Sequence, residues 1–249
     1  MTNQPLPYPI KIMIITWQKQ LLERADQNKR EILNRFFKTA PGEYGYGDQF
    51  IGLTVPENRK ISKTYHHADF NLISEMLQNP IHEFRLGALL ALVEKYKRSK
   101  TDEARNEIAE FYISNCHLAN NWDLVDLSTE YILGEEILKG RHIDDIISLS
   151  KSESIWERRC AVVSTLTPVR KGQLDFAFDL CHRLIRDTEP LMHKAVGWVL
   201  RECGKKNRMR LETFLQNHIS SISATTLSYA TEKFSPEERT MWRTLRKNS

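Results

Sequence analysis

The sequence predicts an all-α fold in which helical pairs stack into a curved solenoid with a concave face. Three observations support it. Past residue 65, apolar residues recur at helical spacing almost without interruption. The same stretch holds no convincing alternating run of the kind a half-buried strand would show. Four segments resemble one another: EFRLGALLALVEKY around Ala88, NNWDLVDLSTEYIL around Val125, WERRCAVVSTL around Ala161 and HKAVGWVLREC around Ala195. They recur at about 35 residues, near the period of helical-pair repeats. One such pair cannot bury its apolar stripe alone, so the pairs must stack, and stacking generates the curvature.

Taken in order, Pro5, Pro7 and Pro9 suggest an extended N-terminal tail. The apolar run from Ile10 to Trp17 is short, is interrupted by Lys11 and lacks a basic leader or a small-residue cleavage site. Neither a signal peptide nor a membrane anchor is expected from it. A helix is expected near Gln18 to Lys38. A glycine-rich connector from Thr39 to Arg59 follows, with Gly42, Gly45, Gly47 and Gly52 in a spacing that matches no phosphate-cradling loop. Amphipathic helices at Phe70 to Gln78, Ile143 to Lys151 and Leu174 to Arg186 precede the first, third and fourth repeat segments. Asn79-Pro80, Gly134, Gly140, Pro168, Gly172, Pro190 and Ser235-Pro236 mark short turns between helices. The expected organisation is one domain over residues 1–249, with tail, helix and loop in 1–60 and stacked pairs in 61–249.

Composition narrows the class. A chain of 249 residues with 41% hydrophobic content can bury one substantial core without needing two. With 27% charged residues and a negative mean hydropathy, it falls outside the membrane and disordered classes. Cys116, Cys160, Cys181 and Cys203 are scattered, without C-x-x-C pairs or zinc-ligand spacing, and are expected to be reduced and mostly buried. The net charge of +4 is a weak indicator of nucleic-acid binding. Basic residues gather at Lys95, Lys97, Arg98 and Lys100, at Lys205, Lys206, Arg208 and Arg210, and at Arg239, Arg243, Arg246 and Lys247. Taken singly, each cluster fits a solvated surface better than a phosphate contact.

Three segments carry candidate chemistry. In NNWDLVDLS, a helix places Trp122 and Asp126 on one face, one turn apart. Leu124, Val125 and Leu127 form the buried side, leaving Trp122, Asp123 and Asp126 nearer the surface. Spacing alone favours Trp122 packed in a seam between helices, with Asp126 an ordinary surface charge. In SIWERRCAVV, Arg158 and Arg159 point in different directions, so one arginine can face a groove while the other is solvated, and a plain surface role for both fits the pattern as well. In AVGWVLREC, Trp198 and Arg201 share a face beside Gly197, which permits a close helix approach. There the pattern favours core packing of Trp198.

Five segments in order, FIGLTVPENR (50–59), EFRLGALLAL (83–92), NNWDLVD (120–126), IWERRCA (155–161) and KAVGWVLRE (194–202), resemble the successive signatures of the AlkD-like DNA alkylation repair family. The resemblance implies a stack of HEAT-like repeats whose concave face binds duplex DNA. It also implies a monofunctional glycosylase of base excision repair, which hydrolyses the N-glycosidic bond of N3- or N7-alkylated purines without metal or cofactor. Asp126 then corresponds to the catalytic aspartate, Trp122 to the aromatic before it, Arg159 to the groove arginine and Trp198 to the second aromatic. Arg201 corresponds to a DNA-backbone contact, and Arg158, Lys194, Thr54, Arg59, Lys205 and Lys206 join it as expected DNA-binding residues. Thr54 stands where the well-studied branch carries glutamine, and the family's early aromatic contact aligns securely with neither Tyr44 nor Tyr46. The implied partner is duplex DNA carrying alkylated purines, the implied state a monomer and the implied location the bacterial cytoplasm with access to the nucleoid.

The alternatives are a non-catalytic repeat protein that binds damaged or branched DNA, and a protein-interaction scaffold. A Cys-His hydrolase on Cys116 and His117 is disfavoured because adjacent helical residues diverge. His66 and His67 fit a surface pair at a helix start. Asp144 with Asp145, and Glu135 with Glu136, fit solvated helix faces rather than a glycosidase carboxylate pair.

Overall fold

The structure is a computed structural model that describes residues 8–249, with side chains from residue 12 onward. Pro5 and Pro7 lie outside the described residues. Every regular element is helical; the strand-like pairing among the described residues is a single bridge between Gln49 and Ile81. The all-α prediction holds. Two compact units divide at Ser128 and Thr129.

The first unit holds α1 (Tyr8–Leu22), α2 (Gln27–Phe36), α3 (Val55–Ser62), α4 (Phe70–Leu77), α5 (His82–Arg98), α6 (Asp102–Asn115) and α7 (Trp122–Asp126). Side-chain caps start several of them. The Asp26, Asp69 and Thr101 side chains accept from the backbone N–H of Lys29, Leu72 and Ala104, so α2, α4 and α6 each begin with a donor satisfied. Helix α5 is buried on almost every side, with Leu86, Ala88, Leu89, Leu90, Ala91 and Leu92 all in the core, and α1, α3, α4 and α6 pack around it. A helix apolar all round belongs in the middle of a unit, and this one carries His82, Glu83 and Arg85 inside with it.

The second unit comprises α8 (Thr129–Leu138), α9 (Ile143–Leu149), α10 (Ile155–Ser164), α11 (Leu166–Arg170), α12 (Asp175–Leu184), α13 (Pro190–Lys206), α14 (Arg208–His218), α15 (Ala224–Ala230) and α16 (Pro236–Lys247). Here α13 is central and packs against α10, α11, α12, α14 and α15. Ser235 and Glu238 close a reciprocal capping box at α16. The expected helix pairs are present, since α4 packs on α5, α9 on α10 and α12 on α13. The four cysteines are free and buried, as expected.

Several local expectations need correction. The single helix expected near Gln18 to Lys38 is two, separated by a turn at Asp26. Pro9 sits in the first turn of α1, where a missing N–H breaks no helical bond. The connector expected to reach Arg59 ends at Thr54, because Val55 and Pro56 open α3. Gly134 lies inside α8, not at a turn; an added Cβ there would meet the Ser164 carbonyl and Thr167 Cβ at 2.7 Å. Pro168 likewise sits within α11. The segment NNWDLVDLSTEYIL is not one helix. The Ser128 hydroxyl donates to the Leu124 carbonyl at 2.6 Å and bonds the Tyr112 hydroxyl at 2.8 Å, taking up a carbonyl that a continuing helix would use. Consequently α7 stops at Asp126 and α8 begins at Thr129.

Gly197 permits the close approach that the sequence suggested. A Cβ there would lie 2.5 Å from Tyr229 Cβ and 2.8 Å from the Thr226 carbonyl on α15. Gly197→Ala should therefore force α13 and α15 apart and cost about 1–3 kcal/mol in urea unfolding, the usual range for overpacking.

Candidate functional site

Two buried polar systems in the first unit fix the segments that carry candidate residues. The first is built on Glu83. Its carboxylate is 1% exposed and accepts the consecutive backbone N–H groups of Ile51, Gly52 and Leu53 at 2.9–3.1 Å. Three amides aimed at one anion satisfy a charge that burial alone would make very costly. Gly52 adopts φ +85°, and a Cβ there would lie 2.0 Å from the Asp26 carbonyl, so only glycine fits the turn. Asn58 donates to the Glu83 carbonyl at 2.7 Å, Ser62 donates to Asn58 at 2.8 Å, and Trp17 Nε1 donates to Ser62 at 3.3 Å. The loop ending at Thr54 is thereby moored to α5.

The second system is an ion cluster around His82, which is 2% exposed. Its Nδ1 contacts Asp48 and its Nε2 contacts Asp123, both at 2.9 Å. Arg85 pairs with the other Asp48 oxygen and donates to the Asn79 carbonyl, and Asn121 donates to Asp48 at 3.0 Å. Burial opposes the imidazolium, but the two aspartates outweigh it and lift the His82 pKa to about 9 from an ordinary 6.5. Asp48 is also opposed by burial, yet its bonds to His82, the His82 charge and Arg85 together hold it below the usual carboxylate range. Two cations and two carboxylates leave the cluster neutral in sum.

This cluster sets α7 in place. Asn121 caps the helix, its side-chain oxygen accepting the Trp122 N–H at 2.8 Å. Asp123 is 4% exposed, which corrects the expectation that it lies near the surface; the His82 imidazolium draws it inward. Trp122, the first residue of α7, is half-buried. Its ring stacks on Phe37 at 5.2 Å, meets Phe36 edge-on at 5.8 Å, and donates to the Tyr44 hydroxyl at 3.3 Å. Phe37 in turn stacks on Phe50 at 5.0 Å. Trp122 therefore has packed support and still reaches solvent. Asp126, one turn along α7, is half-buried as well.

In the second unit, Arg158 and Arg159 begin α10 and do different things. Arg158 donates to Asp187 at 2.6 and 3.3 Å and to the Ser152 and Glu153 carbonyls at 2.9 Å. All of these partners are protein groups, so Arg158 braces the turns before α10 and α13. Arg159 is 5% exposed rather than superficial, and donates to the Leu191 carbonyl at 2.8 Å, linking α10 to α13. On α13, Trp198 is half-buried, while Lys194, Lys205 and Lys206 are exposed. Arg201 pairs with Glu232 and Glu202, and Lys205 with Glu202. Lys194 and Lys206 have no ion-pair partner among the described residues. Packed α10 and α13 thus hold seven of the candidate residues. Thr54, the remaining position with Arg59 on α3, donates its hydroxyl to Glu57 at 2.6 Å, and Arg59 is half-buried.

Glu136 is buried against Arg141 at 2.5 Å and Lys139 at 3.8 Å, so it is not a solvated face, whereas Glu135, Asp144 and Asp145 are exposed. His66 and His67 follow the 3₁₀ turn Lys63–Tyr65 and do not open a helix. Among the described residues, no group of three His, Cys, Asp or Glu side chains is placed to hold a metal ion. No described helix is long and apolar enough to cross a membrane. The sequence did not single out Asp48, His82, Glu83, Phe36 or Phe37. Glu83 stands inside the EFRLGALLAL motif, and the usable signal is an acidic residue heading a run of apolar residues.

His82 protonation links this cluster to stability. A pKa raised on folding adds stability that is complete below 6.5 and fades as pH climbs toward 9. Unfolding free energy should fall across that window, and His82→Gln should remove the slope while costing about 3–5 kcal/mol, because buried carboxylates lose their partner. Denaturant titrations across the pH range check both outcomes.

Residues 17–234 match the protein-family model described as DNA alkylation repair enzyme. A solved structure titled "Predicted DNA alkylation repair enzyme from Enterococcus faecalis" superposes with a TM-score of 0.66 at 18% identity, covering 86% of this chain and 98% of that one. At that identity the likeness shows a shared fold. No curated protein matches. The family match spans every candidate residue named above, and the chain belongs to the DNA alkylation repair enzyme family.

Proposed function

We propose that the protein is a DNA glycosylase that hydrolyses the N-glycosidic bond of N3- or N7-alkylated purines in duplex DNA, in base excision repair. The observation that carries this reading is the half-buried Asp126, one turn from the half-buried Trp122 on a helix that a buried ion cluster fastens. Alkylation at N3 or N7 makes the purine cationic. The C1′–N bond can then break with its electron pair leaving on a neutral base, so no acid is needed to protonate the leaving group. Positive charge develops on the deoxyribose. The Asp126 carboxylate stabilises that charge and orients the water whose oxygen bonds to C1′ and whose proton is then released. A carboxylate at about 4 Å is worth on the order of 4 kcal/mol at an effective dielectric of 20, roughly a thousandfold in rate.

Trp122 offers a ring face to the cationic nucleotide, at about 0.5–2 kcal/mol, and the family resemblance gives Trp198, in the second unit, the part of a further aromatic contact to DNA. Rings held half-buried favour charged lesions without a tight pocket. Arg201, Lys194, Lys205, Lys206, Arg59 and Thr54 supply phosphate contacts that do not depend on sequence, while the buried Arg159, the groove arginine of the resemblance, adds positive charge beneath that surface. Of these, Lys194 and Lys206 are the most readily available, since they are exposed and binding costs them no existing ion pair. The engaged guanidinium of Arg158 supports the loops instead.

Release of 3-methyladenine and 7-methylguanine from methylated duplex DNA tests the chemistry. Asp126→Asn should slow release by about a hundredfold or more, with lesion-DNA affinity nearly kept; release at the wild-type rate would remove the catalytic assignment. Salt-dependent binding without any release by the wild type would favour the non-catalytic DNA-binding reading. Separately, replacing Lys194 and Lys206 by alanine should lower the slope of log affinity against log salt by about 2, since each phosphate neutralised contributes roughly 0.9.

A further inference from the structure

Helices α12 and α14 carry none of the residues assigned above, yet they line a cleft of about 590 Å³ with Asp179, His182, Arg183, Ile185, Arg186 and His218. His182 Nδ1 and His218 Nε2 lie 3.2 Å apart, so one ring donates to the other. Phe214 supports the His218 ring at a centroid distance of 4.4 Å. Arg183 donates to Asp179 at 2.9 Å, which neutralises both. Arg186 is exposed and has no ion-pair partner among the described residues. Although α13 packs against both helices, it contributes no residue to the lining. The charged groups that face the imidazole pair are therefore Asp179, Arg183 and Arg186, and their sum is positive.

We infer that this cleft binds a phosphate group, with Arg186 as the charge partner, His182 and His218 as N–H donors, and Arg183 at the rim. A cation is disfavoured there, because two guanidinium groups repel it and the nearby carboxylate is already engaged. Phosphate complements both the excess charge and the donor-rich lining. Binding is coupled to a proton. Burial, then His182 and Arg186, keep His218 below its ordinary range, since two adjacent imidazoles resist carrying two charges. An anion beside the pair, facing their outer ring nitrogens, offsets that repulsion, so affinity rises as pH falls through the imidazole range. None of this depends on the role of Asp126.

Imidazole NMR of the full chain, with inorganic phosphate added at constant ionic strength, tests the site. Phosphate should move the His182 and His218 signals, bind about tenfold more weakly at pH of roughly 8 than at roughly 6, and lose about tenfold in affinity in Arg186→Gln. A second arm adds lesion-free duplex DNA. Displacement of phosphate by DNA identifies the natural source as a backbone phosphodiester, and phosphate binding that DNA leaves undisturbed identifies a free anion. No movement of either signal, undiminished binding by both Arg186→Gln and His182→Gln, or a response to zinc ion alone would overturn the site. These side chains are at the surface, so the variants should unfold as the wild type does.

Discussion

The first unit depends on a protonated imidazole held between two carboxylates in its interior. His82 reaches Asp48 with one nitrogen and Asp123 with the other, and each contact joins segments far apart in sequence. Asp48 belongs to the loop before α3, His82 opens α5, and Asp123 lies in α7. Burying such groups is expensive, and the expense is met only if all of them arrive together. Arg85 supplies the second positive charge and Asn121 a further donor. A partial cluster would leave an unpaired charge in a dry interior, so the geometry tolerates little slippage. The same all-or-none character positions α7 more sharply than a helix of five residues could position itself.

The aromatic layer follows from that placement. Phe50 stacks on the His82 ring at 4.5 Å, Phe37 on Phe50, and Trp122 on Phe37. A run of ring faces leads from the buried imidazolium out to a tryptophan that still meets solvent. The loop behind it is held by Glu83, whose carboxylate collects three successive amides. Charged groups inside the unit thus act as architecture. In the second unit the corresponding work falls to simpler devices. Gly197 allows α13 against α15, and the guanidinium of Arg159 ties α10 to α13 through one carbonyl.

Periodicity was enough to reveal the helix pairs, because an apolar stripe at helical spacing is a property of neighbouring residues. It failed where the deciding contact was distant. Asp123 looked like a surface acid because its partner lies 41 positions earlier, and nothing local marks that pairing. The break after Asp126 depended on a serine hydroxyl turning back to Leu124, a bond that competes with the helix without changing the pattern of apolar residues. Glycine usually punctuates, but Gly134 instead makes room inside α8 for the Ser164 carbonyl and Thr167. The adjacent arginines were correctly expected to diverge, but which one faced inward depended on Asp187 and Leu191, both about thirty positions away. The candidate residues themselves came from the ordered motifs, since spacing alone gave Trp122 and Trp198 ordinary packing roles.

Asp123 and Asp126 show why a residue's type does not decide its chemistry. They stand three apart on one short helix, yet one is 4% exposed against an imidazolium and the other is half-buried. Asp123 is already committed to a cation inside the protein, and moving that negative charge toward a substrate would strand the His82 imidazolium. Its stabilising power is used in the ground state, and a group engaged equally before and during a reaction does not accelerate it. Asp126 reaches solvent from a helix that cannot easily shift, because its neighbour is locked. A carboxylate that must answer charge appearing only in a transition state needs that combination of access and fixed position. The inward aspartate gives α7 a rigid root, which is the support that the role proposed for Asp126 requires.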